Sequence, residues 1–189
     1  MRDFDVRKLL RVTYLEQYLK DTDSLVMEEV AVHKGSSRID IAVFNGSIHG
    51  YEIKSDLDTL ERLPTQITHY SKVFDYITVI CGSKHTEKVD KLLPDYYGII
   101  EVKEKIKQLG CTVLRKPIIN PERDCKAILD LLWKEELSQI LELLNITKGL
   151  KNKTKAKQIE VIGPMLDADL ASKYVRELIK LRGDWRVDR

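Results

Sequence analysis

The stretch SRIDIAVFNGSIHGYEIK, residues 37–54, decides the fold because it combines two strand patterns with a turn between them. Residues 37–44 alternate in the manner of a β-strand, with Ile39, Ile41 and Val43 on one face and Arg38, Asp40, Ala42 and Phe44 on the other. Asn45-Gly46-Ser47 is a strong turn signal, and residues 48–54 form a second strand. The sequence therefore predicts an antiparallel β-hairpin.

The length of the turn decides which residues of the two strands lie opposite each other. A two-residue turn would place Asp40 opposite Tyr51 and direct Glu52 to the other face. A three-residue turn, or a β-bulge at Gly50, places Asp40 opposite Glu52. In that register the two Cβ atoms are roughly 5 Å apart, and Lys54 lies on the same face two residues further along.

Asp40 and Glu52 at this separation repel each other, and each raises the pKa of the other. A divalent cation such as Mg²⁺ binds carboxylate oxygens at about 2 Å, keeps several waters and removes the repulsion. Lys54 could then orient or deprotonate the attacking water, or neutralise the charge that develops on a phosphate. The pattern indicates metal-dependent phosphodiester chemistry; the alternative is a polar strand face with a cross-strand salt bridge.

Two further elements supply polar side chains near this hairpin. Glu29, in the strand pattern before it, is a candidate third carboxylate; the alternative is an exposed strand residue. Downstream, Gln66 and Tyr70 are four residues apart and share a face if this segment is helical. The alternative there is an ordinary amphipathic helix with Tyr70 packed beside Ile67 and Phe74.

Together these residues resemble the PD-(D/E)XK nuclease superfamily. The likeness rests on acids and a lysine in the expected order, with the Q-x3-Y element found in RecB-type members: Glu29, Asp40, Glu52, Lys54, Gln66 and Tyr70. Residues 50–75, GYEIKSDLDTLERLPTQITHYSKVFD, are similar to a bacterial and phage family akin to the MmcB-like DNA-repair proteins. An LW-x-x-E-L stretch at residues 132–137 extends the likeness over most of the chain.

The resemblance implies a metal site made of carboxylates. Asp40 and Glu52 would be the central ligands of Mg²⁺ or Mn²⁺, and Glu29 would be an additional acid on the preceding strand. Ile39 stands before Asp40 where the superfamily name has proline, but members often lack that proline. The acid set is otherwise complete.

The resemblance also implies the remaining roles and the reaction. Lys54 would serve the attacking water or the transition state, and Gln66 and Tyr70 would flank the site. The expected activity is metal-dependent hydrolysis of DNA phosphodiester bonds in DNA repair, restriction or phage biology. The alternative is a DNA-binding protein that does not cleave, or a subunit of a larger nucleoprotein complex.

The apolar pattern predicts an α/β fold: a restriction-endonuclease-like core with a mixed sheet flanked by helices, followed by a C-terminal helical extension. Pro64 is expected to delay or kink the helix in which it lies. The predicted helices of the core cover residues 3–20, 58–74 and 84–93. The predicted strands cover residues 25–33, 37–44, 48–54, 76–81, 97–102 and 111–115.

A boundary is expected near Pro117, Asn120 and Pro121. It divides the chain into a nuclease-like domain at residues 1–120 and a helical region at residues 121–189, with helices over 123–145, 153–162 and 167–182. Residues 137–162 loosely resemble a DNA-binding module of the SAP kind; a plain helical cap on the sheet is the alternative. Trp133 is expected as the core anchor of this region, and Trp185 as an anchor of the tail.

Charge and composition limit the partners. The net charge is only +2, so this is not a polycation that coats DNA. One local run is basic and could contact DNA phosphates, although a solvated loop and helix start is the alternative: Lys148, Lys151, Lys153, Lys155 and Lys157. No signal peptide or apolar run of transmembrane length is present in the sequence. We expect a cytoplasmic location and a DNA partner, with a homodimer or partner protein left open and no membrane.

Overall fold

Over residues 3–105 and 108–182, which the computed structural model describes, a six-stranded mixed sheet is flanked by helices. The strands follow one another in space in chain order. The first three pair antiparallel, the next two pairings are parallel, and the last is antiparallel. The strands are β1 (Leu25–Val32), β2 (Ser37–Phe44), β3 (Ile48–Lys54), β4 (Tyr76–Gly82), β5 (Gly98–Lys105) and β6 (Gln108–Arg115).

The helices occupy both ends of the chain and two of the connections between strands. A short 3₁₀ turn at Gly163–Met165 joins two of the C-terminal helices. No described helix has the length and apolar character needed to span a membrane. The helices are α1 (Asp3–Thr13), α2 (Glu16–Lys20), α3 (Leu63–Tyr70), α4 (Thr86–Leu92), α5 (Cys125–Leu129), α6 (Lys134–Leu143), α7 (Lys155–Ile162) and α8 (Ala168–Lys180).

Each face of the sheet has its own hydrophobic cluster. On one face, Val6 and Leu10 of α1 and Leu15, which precedes α2, pack against the sheet. On the other face, α3 and α5–α8 share one larger cluster with residues of β1–β5. The C-terminal helices therefore pack on the sheet in the manner of a helical cap, while the division at residue 120 stays a prediction.

The predicted bounds of both hairpin strands are confirmed. The predicted alternation of side chains along β2 is wrong at Ile39. Ile39 shares its cluster with Phe44 rather than with Ile41. The shift coincides with an irregularity in β1, where Glu29 has the left-handed φ of 56° and the ladder skips the Glu29–Asp40 pair. Glu29 and Asp40 are therefore not a ladder pair. The strands keep the same pairing register on both sides of them, but the face to which successive side chains point changes by one residue.

The helix predicted over residues 58–74 is shorter, running from Leu63 to Tyr70. Pro64 occupies its first turn, where a missing N–H costs nothing, so the proline delays the start of the helix as expected. At the other end, the Asn120 amide donates to the carbonyl oxygens of Ser71 at 2.7 Å and Phe74 at 2.8 Å. These bonds hold the chain in the turn that leads into β4.

Two long predicted helices are each divided in the structure. Residues 3–20 form α1 and α2, because the N–H groups of Tyr14 and Leu15 both donate to the carbonyl of Leu10 and the chain turns there. Residues 123–145 divide before Trp133, whose backbone N–H donates to Glu136 Oε2 at 2.6 Å and begins α6.

Trp133 was expected as a core anchor, and this expectation is wrong. Its side chain is 53% exposed, whereas the neighbouring Leu132 is fully buried. The guanidinium of Arg182 lies 4.1 Å from the centroid of the Trp133 ring, so a cation–π contact covers part of the indole. Trp185 lies outside the described residues.

Gly50 allows close packing beneath the site, and Gly50→Ala is expected to lower the free energy of unfolding by about 1–3 kcal/mol. An added Cβ would lie 2.4 Å from Ile39 Cδ1 and 3.0 Å from Phe74 Cγ. Gly110→Ala is the matched control, because Gly110 is also in a strand and a Cβ there meets nothing within 4 Å. Urea unfolding followed by circular dichroism measures both variants. Equal losses would contradict the packing described at Gly50.

Candidate active site

The predicted site residues meet at one cleft with a volume of about 550 Å³. Side chains from α1, the first three strands and the start of α3 form its walls. Tyr70 lies behind this wall and reaches the site through its hydroxyl group. The cleft is lined by the predicted residues Glu29, Asp40, Glu52, Lys54 and Gln66, together with Asp3, Arg7, Arg38, Asp58 and Arg62 among others.

The hairpin turn has the three-residue form that the site requires. Ser47 donates its backbone N–H to Asn45 Oδ1 at 3.0 Å, and the Asn45 N–H donates to the Ser47 carbonyl at 3.1 Å. The ladder from Phe44–Ile48 to Ile41–Tyr51 is regular, with no bulge at Gly50. The paired residues end at Ile41–Tyr51, one residue short of Asp40 and Glu52. Asp40 and Glu52 line the same cleft, and their direct cross-strand pairing stays a prediction.

Glu52 is the most buried acid of the cleft, with 3% of its surface exposed. Its Oε1 accepts hydrogen bonds from Lys54 Nζ at 2.6 Å and from Gln66 Nε2 at 2.7 Å. Its Oε2 accepts one from the Tyr70 hydroxyl at 2.8 Å. These charge-assisted bonds fix the orientation of the carboxylate and satisfy it in a site with little water.

Gln66 and Tyr70 lie on the same face of α3, as their spacing predicts, and Gln66 Nε2 is 3.1 Å from the Tyr70 hydroxyl. The hydroxyl oxygen also lies 2.7 Å from the carbonyl oxygen of Arg38, so its single proton is shared between this carbonyl and Glu52. Burial and the neighbouring Glu52 charge both raise the pKa of Tyr70. The phenol therefore remains a neutral donor, and it joins α3 to both strands of the hairpin. The ring also packs edge-on against Phe74.

Asp40 lies where burial and the neighbouring Glu52 both disfavour its charged form. Its Oδ2 accepts the backbone N–H of Ile53 at 2.7 Å, so the side chain takes the place of a ladder carbonyl. Burial, followed by the charge of Glu52, raises the pKa of Asp40 to about 7, against the opposing effects of the Ile53 N–H and Arg7. Two carboxylates whose charges interact this strongly are stabilised by a shared proton or a bound cation.

Arg7 of α1 completes the site, and sequence patterns did not indicate it. Its guanidinium contacts Asp40 Oδ1 at 2.5 Å, Glu29 Oε1 at 2.8 Å and Asp3 Oδ2 at 2.7 Å. Burial alone would lower the pKa of Arg7, but the Asp3 hydrogen bond and the surrounding acids raise it. The Asp3–Arg7 spacing of four residues is the one local signal. The contact with Asp40 depends on how α1 packs across the sheet.

Glu29 is placed differently from the two central acids. Its side chain is 44% exposed and lies 4.0 Å from Arg38 as well as beside Arg7. Within residues 3–105 and 108–182, no group of three or more His, Cys, Asp or Glu side chains is arranged to hold a metal ion. The structure thus brings Asp40 and Glu52 together and links Glu29 to Asp40 through Arg7. A ligand role for Glu29 stays a prediction.

The lysine run lies on α7 and on the loop before it. Three of its members have acidic partners: Lys151 pairs with Glu142, Lys155 with Asp130 at 3.0 Å, and Lys157 with Glu160 at 2.8 Å. Lys148 and Lys153 are exposed. DNA contact by these side chains stays a prediction.

A groove beside the β1–β2 turn includes one member of the lysine run, Lys155. Lys34, Lys126 and Lys155 line this groove, which has a volume of about 690 Å³. The backbone N–H of Lys34 donates to Asp130 Oδ2 at 3.1 Å, which fixes the β1–β2 turn against α5. Gly35, the next residue of that turn, lines the cleft that contains the acids. The turn therefore separates an acidic cleft from a groove that carries lysines.

The fold and site define a mixed α/β protein whose cleft holds a buried glutamate–lysine pair beside a second acid. The family model described as bacteriophage P4 protein cII matches residues 6–184, and the chain belongs to this family. Protein cII of Enterobacteria phage P4 is 29% identical over 161 residues, which are 85% of this chain and 60% of that protein. The chain thus covers less than two thirds of that relative. No solved structure matches the chain. Membership of this family supports a phage origin, which the resemblance to a bacterial and phage family allows.

Tyr70→Phe is expected to lower the free energy of unfolding by about 1.5–3 kcal/mol, because it removes a hydrogen bond to a buried charge. Tyr97→Phe is the matched control. Tyr97 is equally buried, but its hydroxyl bonds neutral groups, the Ser71 hydroxyl and the Ile67 carbonyl, so a loss of about 1 kcal/mol is expected. Urea unfolding at pH 7 compares the two. A smaller loss in Tyr70→Phe than in the control would contradict the stabilising bond between Tyr70 and Glu52.

Proposed function

We propose that this chain is a metal-dependent nuclease that hydrolyses DNA phosphodiester bonds. The observation that carries the proposal is the arrangement at the cleft: Asp40 and Glu52 line it together, the Glu52 charge acts on Asp40, and Lys54 contacts Glu52 at 2.6 Å. An acid pair with a lysine is suited to binding a cation and stabilising charge on a phosphate. The phage setting is compatible with repair, restriction or another step of phage DNA metabolism.

We further propose that the core has the restriction-endonuclease-like fold of the PD-(D/E)XK superfamily. Support comes from the order of elements: a helix, three antiparallel strands, a helix, and a fourth strand that pairs parallel to the third. The proposed catalytic residues stand on the second and third strands, and the following helix supplies Gln66 and Tyr70. This is the placement that the sequence resemblance implies.

The donor set fits a hard divalent cation. Asp40 and Glu52 offer carboxylate oxygens, and Gln66 Oε1 is buried without a hydrogen-bond partner among the described residues. Mg²⁺ is commonly held by one or two carboxylates with several waters, so the two central acids suffice and Glu29 would be an additional acid. Mg²⁺ or Mn²⁺ bound there would lower the pKa of a bound water and polarise the phosphate.

The chain's own residues have distinct parts in the reaction. The Lys54 ammonium has further N–H groups beyond its bond to Glu52, and these can donate to the attacking water or to a phosphate oxygen. Its charge would stabilise the negative charge that develops as the water attacks phosphorus and the phosphorus–oxygen bond breaks. Gln66 and Tyr70 hold Glu52 in one orientation, which limits reorganisation during the reaction.

The second candidate function is DNA binding without cleavage, alone or as a subunit of a larger complex. One observation favours it: Arg7 and Lys54 already neutralise Asp40 and Glu52. The groove with Lys34, Lys126 and Lys155 would serve either function, because lysines attract phosphate regardless of base sequence. Cleavage and binding must therefore be measured separately.

In a cleavage assay with linear duplex, circular single-stranded and branched DNA, we expect cutting in Mg²⁺ or Mn²⁺ and none in EDTA. Asp40→Asn, Glu52→Gln and Lys54→Ala should each reduce the rate by about a hundredfold or more. Glu101→Gln is the matched control, because Glu101 is also a buried strand carboxylate with a lysine partner, Lys103 at 2.6 Å. Absence of cutting by folded protein that still binds DNA would favour the second candidate.

DNA affinity tests the lysine run independently of cleavage. With Lys148 and Lys153 both changed to Ala, the slope of log affinity against log salt should become shallower by about 2, since each duplex phosphate contact contributes about 0.9. The control is the double variant Lys84→Ala and Lys88→Ala. Both side chains are exposed, and Lys84 lies just before α4 whereas Lys88 lies within it. Fluorescence anisotropy in EDTA, with salt varied, gives both slopes. Equal slopes for the two double variants would exclude Lys148 and Lys153 from the DNA contact.

A further inference from the structure

Arg7 holds together acids that belong to three different elements. Its guanidinium contacts Asp3 of α1, Glu29 of β1 and Asp40 of β2, at 2.7, 2.8 and 2.5 Å. The Arg7 side chain is 17% exposed, so water screens these contacts only partly. The contact to Asp40 Oδ1 is the one that bears on the proposed cation site, because Asp40 Oδ2 is already occupied by the Ile53 N–H.

Each central acid of the cleft has a protein cation bound to it. Lys54 occupies Oε1 of Glu52, and Arg7 occupies Oδ1 of Asp40. A guanidinium keeps its proton throughout the physiological range, so Arg7 cannot leave Asp40 by losing its charge. A divalent cation that takes an oxygen of Asp40 must therefore compete with Arg7 for it.

We propose that Arg7 is a displaceable counter-ion of the site: it neutralises Asp40 until a divalent cation binds there, and it then turns its N–H groups to a phosphate oxygen of the substrate. This inference rests on the proposed function, since it takes Asp40 as a cation ligand. Binding of the cation and exposure of a phosphate-binding guanidinium would then be a single event. The acids would stay neutralised while no substrate or cation is bound.

The packing of α1 permits this exchange without unfolding. Val6 and Leu10, on either side of Arg7 in the sequence, are buried at 1% exposure and hold the helix on the sheet. Asp3 and Glu29 retain the guanidinium near the cleft after it leaves Asp40. The movement then involves only side-chain torsions, which change far faster than helices dissociate.

The test is the affinity of the full chain for Mn²⁺, measured by isothermal titration calorimetry without DNA. Arg7→Gln should bind Mn²⁺ at least about tenfold more tightly, because it removes a charge-assisted competitor. Arg7→Lys should fall between, since lysine is a point charge without the planar fork. Arg11→Gln is the matched control: Arg11 lies one turn further along α1 and pairs with Glu28, and its affinity should stay within about twofold of the parent.

The outcomes separate this inference from the proposed function. Unchanged or weaker Mn²⁺ binding by Arg7→Gln, in protein that melts as the parent does, would overturn the counter-ion role and leave the nuclease proposal in place. Tighter binding without DNA cleavage by the parent would support the counter-ion role and reject the nuclease. No Mn²⁺ binding by either protein would overturn both.

Discussion

The buried carboxylate of Glu52 is the constraint on which the site depends. An ionised carboxylate at 3% exposure is costly unless several donors reach it. Lys54 comes from the same strand, but Gln66 and Tyr70 must come from α3. The late start of α3, its position on the sheet, and the bond from Tyr70 to the β2 backbone all serve this one carboxylate.

The second acid, Asp40, is contacted from α1, which lies in the other layer of helices. Asp40 is satisfied by the Ile53 N–H within the sheet and by Arg7, which reaches it from α1. The helix that supports Glu52 and the helix that supports Asp40 contribute to different hydrophobic clusters, on opposite faces of the sheet. The two-sided covering of the sheet therefore positions the acid pair as well as burying apolar surface.

What could be predicted from sequence was local. The three-residue turn at Asn45–Ser47 set the register of the hairpin, and the four-residue spacing set Gln66 beside Tyr70. Arg7 could not be found this way, because its bond to Asp40 spans 33 residues and depends on how α1 packs. The left-handed backbone at Glu29 has no side-chain pattern to reveal it, and it lies where the alternation shifts and Ile39 takes the other face. A large aromatic side chain predicts a buried position, but Trp133 directly precedes α6 and is mostly exposed there.

Stability alone does not explain the Glu52–Lys54 pair. Well-packed apolar residues often replace a buried ion pair at no cost to stability, and the neighbouring positions Ile53, Val79 and Ile80 are filled in that way. The pair stands at a cleft rather than deep in either cluster, and a second acid is placed against it whose pKa is raised by burial and by Glu52. Charge that the fold does not need, concentrated where solvent and a ligand can reach it, is characteristic of a binding or catalytic site. The cost of burying this group without a need for stability is the reason that we propose a ligand-binding or catalytic role for the cleft.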